Sequence, residues 1–344
     1  MAPDVKSQDP AAEAAAKAPE PPPGSRFNVF DLGQRIALPV AWVVVIAVFG
    51  VLEPDTFLTS ANFSTILGSQ AVLVVLALGL VIPLRTGDYD LSVAATLTLT
   101  SMIIAILNVN EHWAIVPAIF VAFCAALVIG CVNGLFVVKL GVDSLITTLG
   151  TGTFIQGLVL WISNSNTIGG VSPDLVNAVI LTKLFGVPLE FYYALALCVV
   201  LWWFFEHMPA GRRMLFVGRS REVSRLSGLH VDRLRWGGFV GAALVAALAG
   251  TLYAGTSGGA DPTSGLSFLL PAFAAAFLGG TTILPGRFNA WGTIIAAYFL
   301  ITGITGLQLL GVASFVQQLF YGGALVIAVA LSEWARRRRS SGSA

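Results

Sequence analysis

Apolar runs recur along this chain at lengths that suit a membrane crossing, and this recurrence limits the fold more than any motif does. The hydrocarbon core of a bilayer takes about 20 residues of helix. Ten runs are read, at about 36–52, 66–84, 91–108, 114–137, 144–163, 190–206, 236–256, 268–284, 290–307 and 315–332. Pro83 and Pro271, with several glycines, interrupt the second and the eighth. Those two read as short or broken, and a count of eight or nine stays open. The runs are continuous, where a transmembrane β-strand would alternate. Hydrophobic residues make up 56% of the chain and charged residues 11%, against about 25% charged in soluble domains. A soluble chain of 344 residues has no core large enough to bury that share. The predicted class is an all-α polytopic membrane protein.

Charge supplies the orientation. With the N-terminus inside and the ten spans alternating, every Lys and Arg except Lys183 falls on the inner side. This includes Arg85, Lys139, the Arg212–Arg235 cluster and the Arg336–Arg339 run. Such one-sidedness is the positive-inside pattern of membrane proteins, and both termini are predicted to be cytoplasmic. Losing one span would put the two Arg clusters on opposite sides, which favours an even count between them. Residues 1–34 are rich in Ala and Pro, with Pro21, Pro22 and Pro23 in a row. They read as a disordered cytoplasmic tail, since a signal peptide would place its apolar core close after Met1. Residues 35–335 read as the transmembrane domain and 336–344 as a basic tail. A net charge of +1 gives no footprint for nucleic acid.

Energy-coupling chemistry is missing. There is no Gly-x4-Gly-Lys-Ser/Thr phosphate loop, no His-Glu-x-x-His and no Cys-x-x-Cys. Cys124, Cys131 and Cys198 fall within spans and read as packing residues, with no disulfide or metal framework. Ionisable residues in mid-span, which pumps and ion-coupled carriers use, are nearly absent. No metal or cofactor is expected on this chain.

The longest basic loop is 207–235. Ser220 is placed to cap a short helix, with Glu222 in its first turn and Gly228 as its stop. Arg221 and Arg225 would share one side and Val223 and Leu226 another. Two readings stand: an amphipathic helix resting on the membrane surface, and a docking helix for a cytoplasmic partner.

The loop resembles the coupling segment of the ribose-type permeases of ATP-binding-cassette importers. The matching residues are Gly211-Arg212, Val223, Arg225-Leu226-Ser227-Gly228-Leu229 and Val231. Further similarities follow in the family's order: Asp90-Leu91-Ser92-Val93, Asn133-Gly134, Lys139-Leu140-Gly141-Val142, Thr148-Leu149-Gly150-Thr151, Leu278-Gly279-Gly280-Thr281, Trp291-Gly292-Thr293, Leu310-Gly311-Val312, Ser314-Phe315 and Gln317-Gln318. The resemblance covers about residues 36–335. Departures are Thr86-Gly87-Asp88-Tyr89 ahead of Asp90, Ala94, and Arg287-Phe288-Asn289 ahead of Trp291.

The resemblance implies a type II importer fold and a second permease copy beside this one. It implies cytoplasmic ATPase subunits holding ATP and Mg and docked on Arg221, Glu222, Val223, Arg225, Leu226, Ser227, Gly228 and Leu229. It further implies an extracytoplasmic substrate-binding protein delivering a monosaccharide or related polyol across a bacterial cytoplasmic membrane.

One feature stands apart from the resemblance. Residues 140–149, LGVDSLITTL, and 310–319, LGVASFVQQL, are identical at five of ten positions. In the predicted topology the first enters its span from inside and the second from outside, so the repeat is inverted, a common transporter construction. A chance match in a Leu/Gly/Val-rich chain is the alternative. Each segment sets polar residues at i, i+3, i+4 and i+7: Ser144, Thr147, Thr148 and Thr151 in one, Ser314, Gln317, Gln318 and Tyr321 in the other. Each set spans a helical face about 100° wide. Such faces suit either a conduit for a polyhydroxylated solute or interhelical hydrogen bonding. Asp90 reads as a helix cap or as a gating or ATPase-contact residue. Asn133 reads as a packing or capping residue, as a substrate ligand or, with Asp90, as a gating residue.

The function expected is an importer permease without catalytic residues of its own. Its rivals are a related permease for branched-chain amino acids or nucleosides, and a facilitator or channel working without an ATPase.

Overall fold

A computed structural model describes residues 29–68, 70–313 and 315–341. Most of the predicted N-terminal tail, the last three residues and the candidate pathway residue Ser314 lie outside the described residues. The chain divides into two compact units, Met1–Gly33 and Gln34–Ala344. The described part of the first, residues 29–33, is helical.

Helices dominate the described residues. α1 (Val29–Leu52) opens ahead of the run predicted at 36. Two short helices follow, α2 (Pro54–Phe57) and α3 (Ser60–Gly68), and then α4 (Ala71–Leu84). The predicted second span is therefore two helices, α3 and α4, meeting beside Gln70. α5 (Val93–Ala105) and α6 (Ile115–Gly134) each run into a π-helical turn, at Ile106–Asn110 and Leu135–Lys139. α7 (Ser144–Ile162) starts on a cap, Asp143, whose carboxylate accepts from the amides of Leu145 and Ile146. After the short α8 (Pro173–Val176) come α9 (Leu189–His207), α10 (Pro209–Arg219), α11 (Arg221–Leu226) and α12 (Val231–Ser257). α13 (Ser264–Gly279), α14 (Ala290–Leu309) and α15 (Phe315–Ser341) complete the chain. α15 stays helical through the Arg336–Arg339 run that reads as a tail in sequence.

Among the described residues eight helical segments are long and apolar enough to cross a membrane. The two others predicted to span, Ser264–Gly279 and Phe315–Ala330, are shorter apolar helices. Each of the ten predicted runs is mostly helical; Pro83 and Pro271 lie inside α4 and α13, the break in the second run falls beside Gln70 instead, and the eighth run leaves the helix after Gly279.

Strands are minimal. β1 (Ile168–Gly169) pairs antiparallel with β4 (Gly259–Ala260), Ile168 opposite Ala260. β2 (Lys183–Leu184) and β3 (Val187–Pro188) form a small hairpin.

Every residue of α4 is buried. Around it pack α9, α12, α13 and α14, with α5 set against α12, and the buried faces of these helices form the core. The surrounding helices turn large apolar side chains outward: Val43 on α1, Phe120 on α6, Phe154 and Trp161 on α7, Trp203 on α9 and Leu319 on α15 are all exposed. In water that belt would be an aggregation surface; in hydrocarbon it costs nothing. Lipid tails are as apolar as Leu, so close packing and hydrogen bonds must hold the helices together. A Cβ on Gly250 of α12 would overlap the carbonyl of Leu97 and crowd Thr100, so only glycine allows α5 and α12 to approach this closely. Polar ties cross the bundle as well: the Trp42 indole donates to Thr302 Oγ1 (2.9 Å), and the Tyr298 hydroxyl to the Leu67 carbonyl (3.0 Å).

The two LGV segments form matching corners. Gly141 and Gly311 share a left-handed φ of +74°, a conformation open to glycine, and in each case a helix begins a few residues later. The first corner lies beside the start of α12, where Lys139, Arg233 and Trp236 meet. The second lies at the other end of the bundle, where Gln308 and Gln317 sit near Gln70 and Ser267.

Candidate functional site

The basic end of the bundle is built around a corner between two short helices, α10 and α11, within the basic stretch 207–235. Pro209 opens α10, and its buried positions, Gly211, Met214 and Val217, recur every third residue on one face. Arg212, Arg213, Phe216 and Arg219 face outward. Ser220 turns the chain, and its side chain accepts from the Val223 amide (3.3 Å) to cap α11. At the far end Gly228 takes φ +76°. Its amide bonds to the Arg225 carbonyl, and the Leu229 amide to that of Ser224, the paired bonds of a Schellman stop. The predicted cap, first-turn Glu222 and terminating glycine are all present. Ser224 faces inward, while Arg221, Glu222, Val223, Arg225, Leu226, Ser227 and Gly228 are exposed. Val223 is 62% and Leu226 84% exposed, an apolar pair at the tip of a charged helix. Arg225 pairs with Asp232 at the start of α12 (3.0 Å).

This corner rests on the segment 85–92 between α4 and α5. Gly218 lies so close that an added Cβ would overlap the Arg85 carbonyl. The Asp88 carboxylate, 1% exposed, gathers two guanidinium groups. Arg235 of α12 donates from Nε to Oδ2 (2.8 Å) and from Nη2 to Oδ1 (2.6 Å), and Arg221 of α11 donates from Nη2 to Oδ1 (2.9 Å). Thr86 Oγ1 donates to Oδ2 (3.1 Å). Beside it the buried Arg85 donates to Glu206 (2.9 Å) and lies over the Phe205 ring, 4.4 Å from its centroid. Burial pulls the Arg85 guanidinium below its usual basicity, and the Glu206 bond restores part of it.

Asp90 is fully buried. Its Oδ1 accepts from the Ser92 amide (3.0 Å) and from Ser92 Oγ (2.6 Å), and Asn133 Nδ2 of α6 donates to that same Oγ (2.8 Å). Asp90 thus caps the turn that opens α5, while its Oδ2 and Asn133 Oδ1 have no partner in the protein. Burial pushes the Asp90 carboxyl up to about 6, against the pull of the Ser92 hydrogen bonds.

The polar face of α7 meets the same segment. Ser144 Oγ accepts from the Tyr89 amide (3.2 Å) and Thr148 Oγ1 from the Leu91 amide (3.0 Å). Thr151 donates back to the Thr147 carbonyl (2.9 Å), and Thr147 Oγ1 is buried without a partner. Ser144 and Thr148 therefore bond the backbone of the segment between α4 and α5, not a neighbouring helix.

At the opposite end lies a cavity of about 180 Å³ lined by residues of α13, α14 and α15 and by the break between α3 and α4. Its polar walls are Gln70, Ser267, Thr305, Gln308, Gln317 and Tyr321. Of the candidate pathway residues on α15, Gln317 and Tyr321 face this space, while Gln318 is exposed. Among the described residues no charged side chain lines the cavity. Among the described residues no group of three or more His, Cys, Asp or Glu is placed to hold a metal.

Several of these residues were not legible beforehand. Asp88 stood out in sequence only as a departure, because its partners lie far along the chain. The helical spacing of Gly211, Met214 and Val217 was an available signal for α10.

Relatives with curated descriptions support this architecture. The chain is 30% identical to the D-allose transport system permease protein AlsC of Escherichia coli, over 84% of this chain and 88% of that protein. It is 32% identical to the ribose import permease protein RbsC of Bacillus subtilis, over 89% and 95%. It is 29% identical to the autoinducer 2 import system permease protein LsrD of Photorhabdus laumondii, over 87% and 92%. No solved structure gives a significant match. A family model described as the permease component of the branched-chain amino acid transport system matches residues 62–329, and the chain, a multi-pass membrane protein by its helices, belongs to that permease family.

Proposed function

We propose that this chain is the membrane permease subunit of an ATP-driven importer for a monosaccharide or related polyol. The observation that carries the reading is the cavity whose polar groups are amides and hydroxyls, set among Leu73, Phe268, Pro271, Ile301 and Ile304, with no charged side chain among its described lining residues. Hydroxyl-rich solutes exchange hydrogen bonds with such walls. An amino-acid zwitterion would bring two formal charges into a site with no counter-charge, at high cost away from water. At about 180 Å³ the cavity is smaller than the roughly 300–1,000 Å³ of pockets for drug-sized ligands, a size that suits one sugar ring. The relatives named for D-allose and ribose support the same cargo class.

Energy enters at the other end. The chain lacks a phosphate-binding loop of its own. α11 presents Val223 and Leu226 beside exposed Glu222 and Arg225, a surface suited to a cytoplasmic ATPase subunit that holds ATP and Mg. An extracytoplasmic binding protein would deliver cargo to the cavity end. A second permease copy would cover part of the exposed apolar face of α7, lipid the rest. Both termini would lie on the cytoplasmic side of a bacterial inner membrane, since the basic residues gather there.

The test is uptake of labelled D-ribose and D-allose by cells expressing this chain with its neighbouring ATPase and binding protein. Uptake should require all three components and fall at least tenfold with Gln317→Ala. Uptake that persists without the ATPase would point to a facilitator and overturn the proposal.

A further inference from the structure

The geometry points to Asp88 as the joint that links α11 to the first turn of α7, with Arg221 as its releasable half. The inference rests on the reading of α11 as the place where energy enters, and it names the route from there into the bundle.

The joint has a fixed half. Arg235 grips both carboxylate oxygens of Asp88, and the side chains are 9% and 1% exposed. Removing Asp88 would strand the buried Arg235 guanidinium. The other half is different. The Arg221 side chain is 43% exposed and reaches in to Asp88 Oδ1 and the Gly87 carbonyl, both at 2.9 Å. When Arg221 withdraws, the Asp88–Arg235 pair stays neutral and hydrogen-bonded, and Arg221 exchanges its partners for water. The contact can therefore open without leaving an unpaired charge inside the protein, as a two-state link must.

The far side of the joint is short and polar. From Asp88 the backbone runs directly to Tyr89 and Leu91, whose amides are held by Ser144 and Thr148 on α7. Ser92, one residue on, binds Asn133 of α6. A displacement of α11 that takes Arg221 away thus loosens a segment pinned to the helix carrying the polar face Ser144–Thr151. The parallel tie, Arg225 to Asp232, is exposed on both sides (60% and 44%). An ion pair so placed contributes little stiffness.

Hydrogen–deuterium exchange of the full-length protein in lipid nanodiscs tests this without cargo or ATPase. Arg221→Gln should speed amide exchange at least threefold in peptides covering 86–92 and 144–150. Arg221→Lys, which keeps a donor and a charge, should stay within twofold of the parent in both. Arg225→Gln should change exchange only within 220–232. Faster exchange confined to 220–229 in Arg221→Gln, or an equal effect of Arg225→Gln at 144–150, overturns the joint. The reading of α11 as an ATPase dock is judged separately, by ATPase copurification with Leu226→Asp, so the two can fail independently.

Discussion

Replacing Asp90 by Asn separates a structural carboxylate from a functional one. Asp90 is fully buried, its Oδ1 accepts from Ser92 twice, and its Oδ2 has no protein partner. Its carboxyl is raised from 3.8 to about 6. A shift of about 2 units corresponds to roughly 3 kcal/mol. The sign follows from the direction: a raised acid favours the folded state when protonated. The penalty is therefore complete above about pH 6 and fades as pH falls toward the unfolded value near 3.8. Asn keeps the Oδ1 acceptor and removes the charge, but it turns an unpartnered acceptor into an unpartnered amide, costing about 1–2 kcal/mol. The net expectation is that Asp90→Asn is about 1–2 kcal/mol more stable at pH 8, with that advantage falling by about 2 kcal/mol at pH 4.5. Equilibrium unfolding in mixed micelles, followed by tryptophan fluorescence at both pH values, measures it. A pH-independent difference, or a variant less stable at pH 8, would refute the burial argument. Transport by the same variant then reports separately on gating: lost uptake in a stabilised protein assigns Asp90 a role beyond its turn.

Other expectations concern the basic end and the cavity. Asp88→Asn leaves Arg235 buried without its counter-ion and should cost about 3–5 kcal/mol, whereas pairing Asp88→Leu with Arg235→Leu should cost less than either change alone in the same unfolding assay. Gly218→Ala pushes a methyl into the Arg85 carbonyl and should destabilise by about 1–3 kcal/mol, visible as a lowered Tm. Tyr321→Phe removes one hydroxyl from the cavity wall and should weaken sugar uptake by about 0.5–1.5 kcal/mol, or two- to tenfold in KM.

Elements whose signal is local were legible in the sequence. Apolar runs longer than a soluble strand or helix needs became helices, and Ser220, Glu222 and Gly228 bounded α11 because caps and stops depend on neighbours in the chain. α10 was missed because its arginines suppress mean hydropathy, although its buried face repeats at helical spacing. The Asp88 cluster was illegible for a different reason. Three charges visible in the sequence do not say which of them meet, and Arg221 and Arg235 each had other carboxylates nearer along the chain. The polar face of α7 was visible as a stripe, but a stripe does not reveal its neighbour. Ser144 and Thr148 face the backbone of the segment before α5, while Gln317 and Tyr321 of the matching stripe face open space.

The paired LGV corners carry a consequence for how such a chain acquires its orientation. A left-handed glycine between two helices works equally well at either surface of a bilayer, because it depends only on backbone torsion. Lys139 does not: it directly precedes the first corner, and no basic residue flanks the second. Turn and address are therefore written in separate residues. One ten-residue unit can be used twice, facing opposite ways, with a single lysine beside it marking which copy belongs to the basic surface.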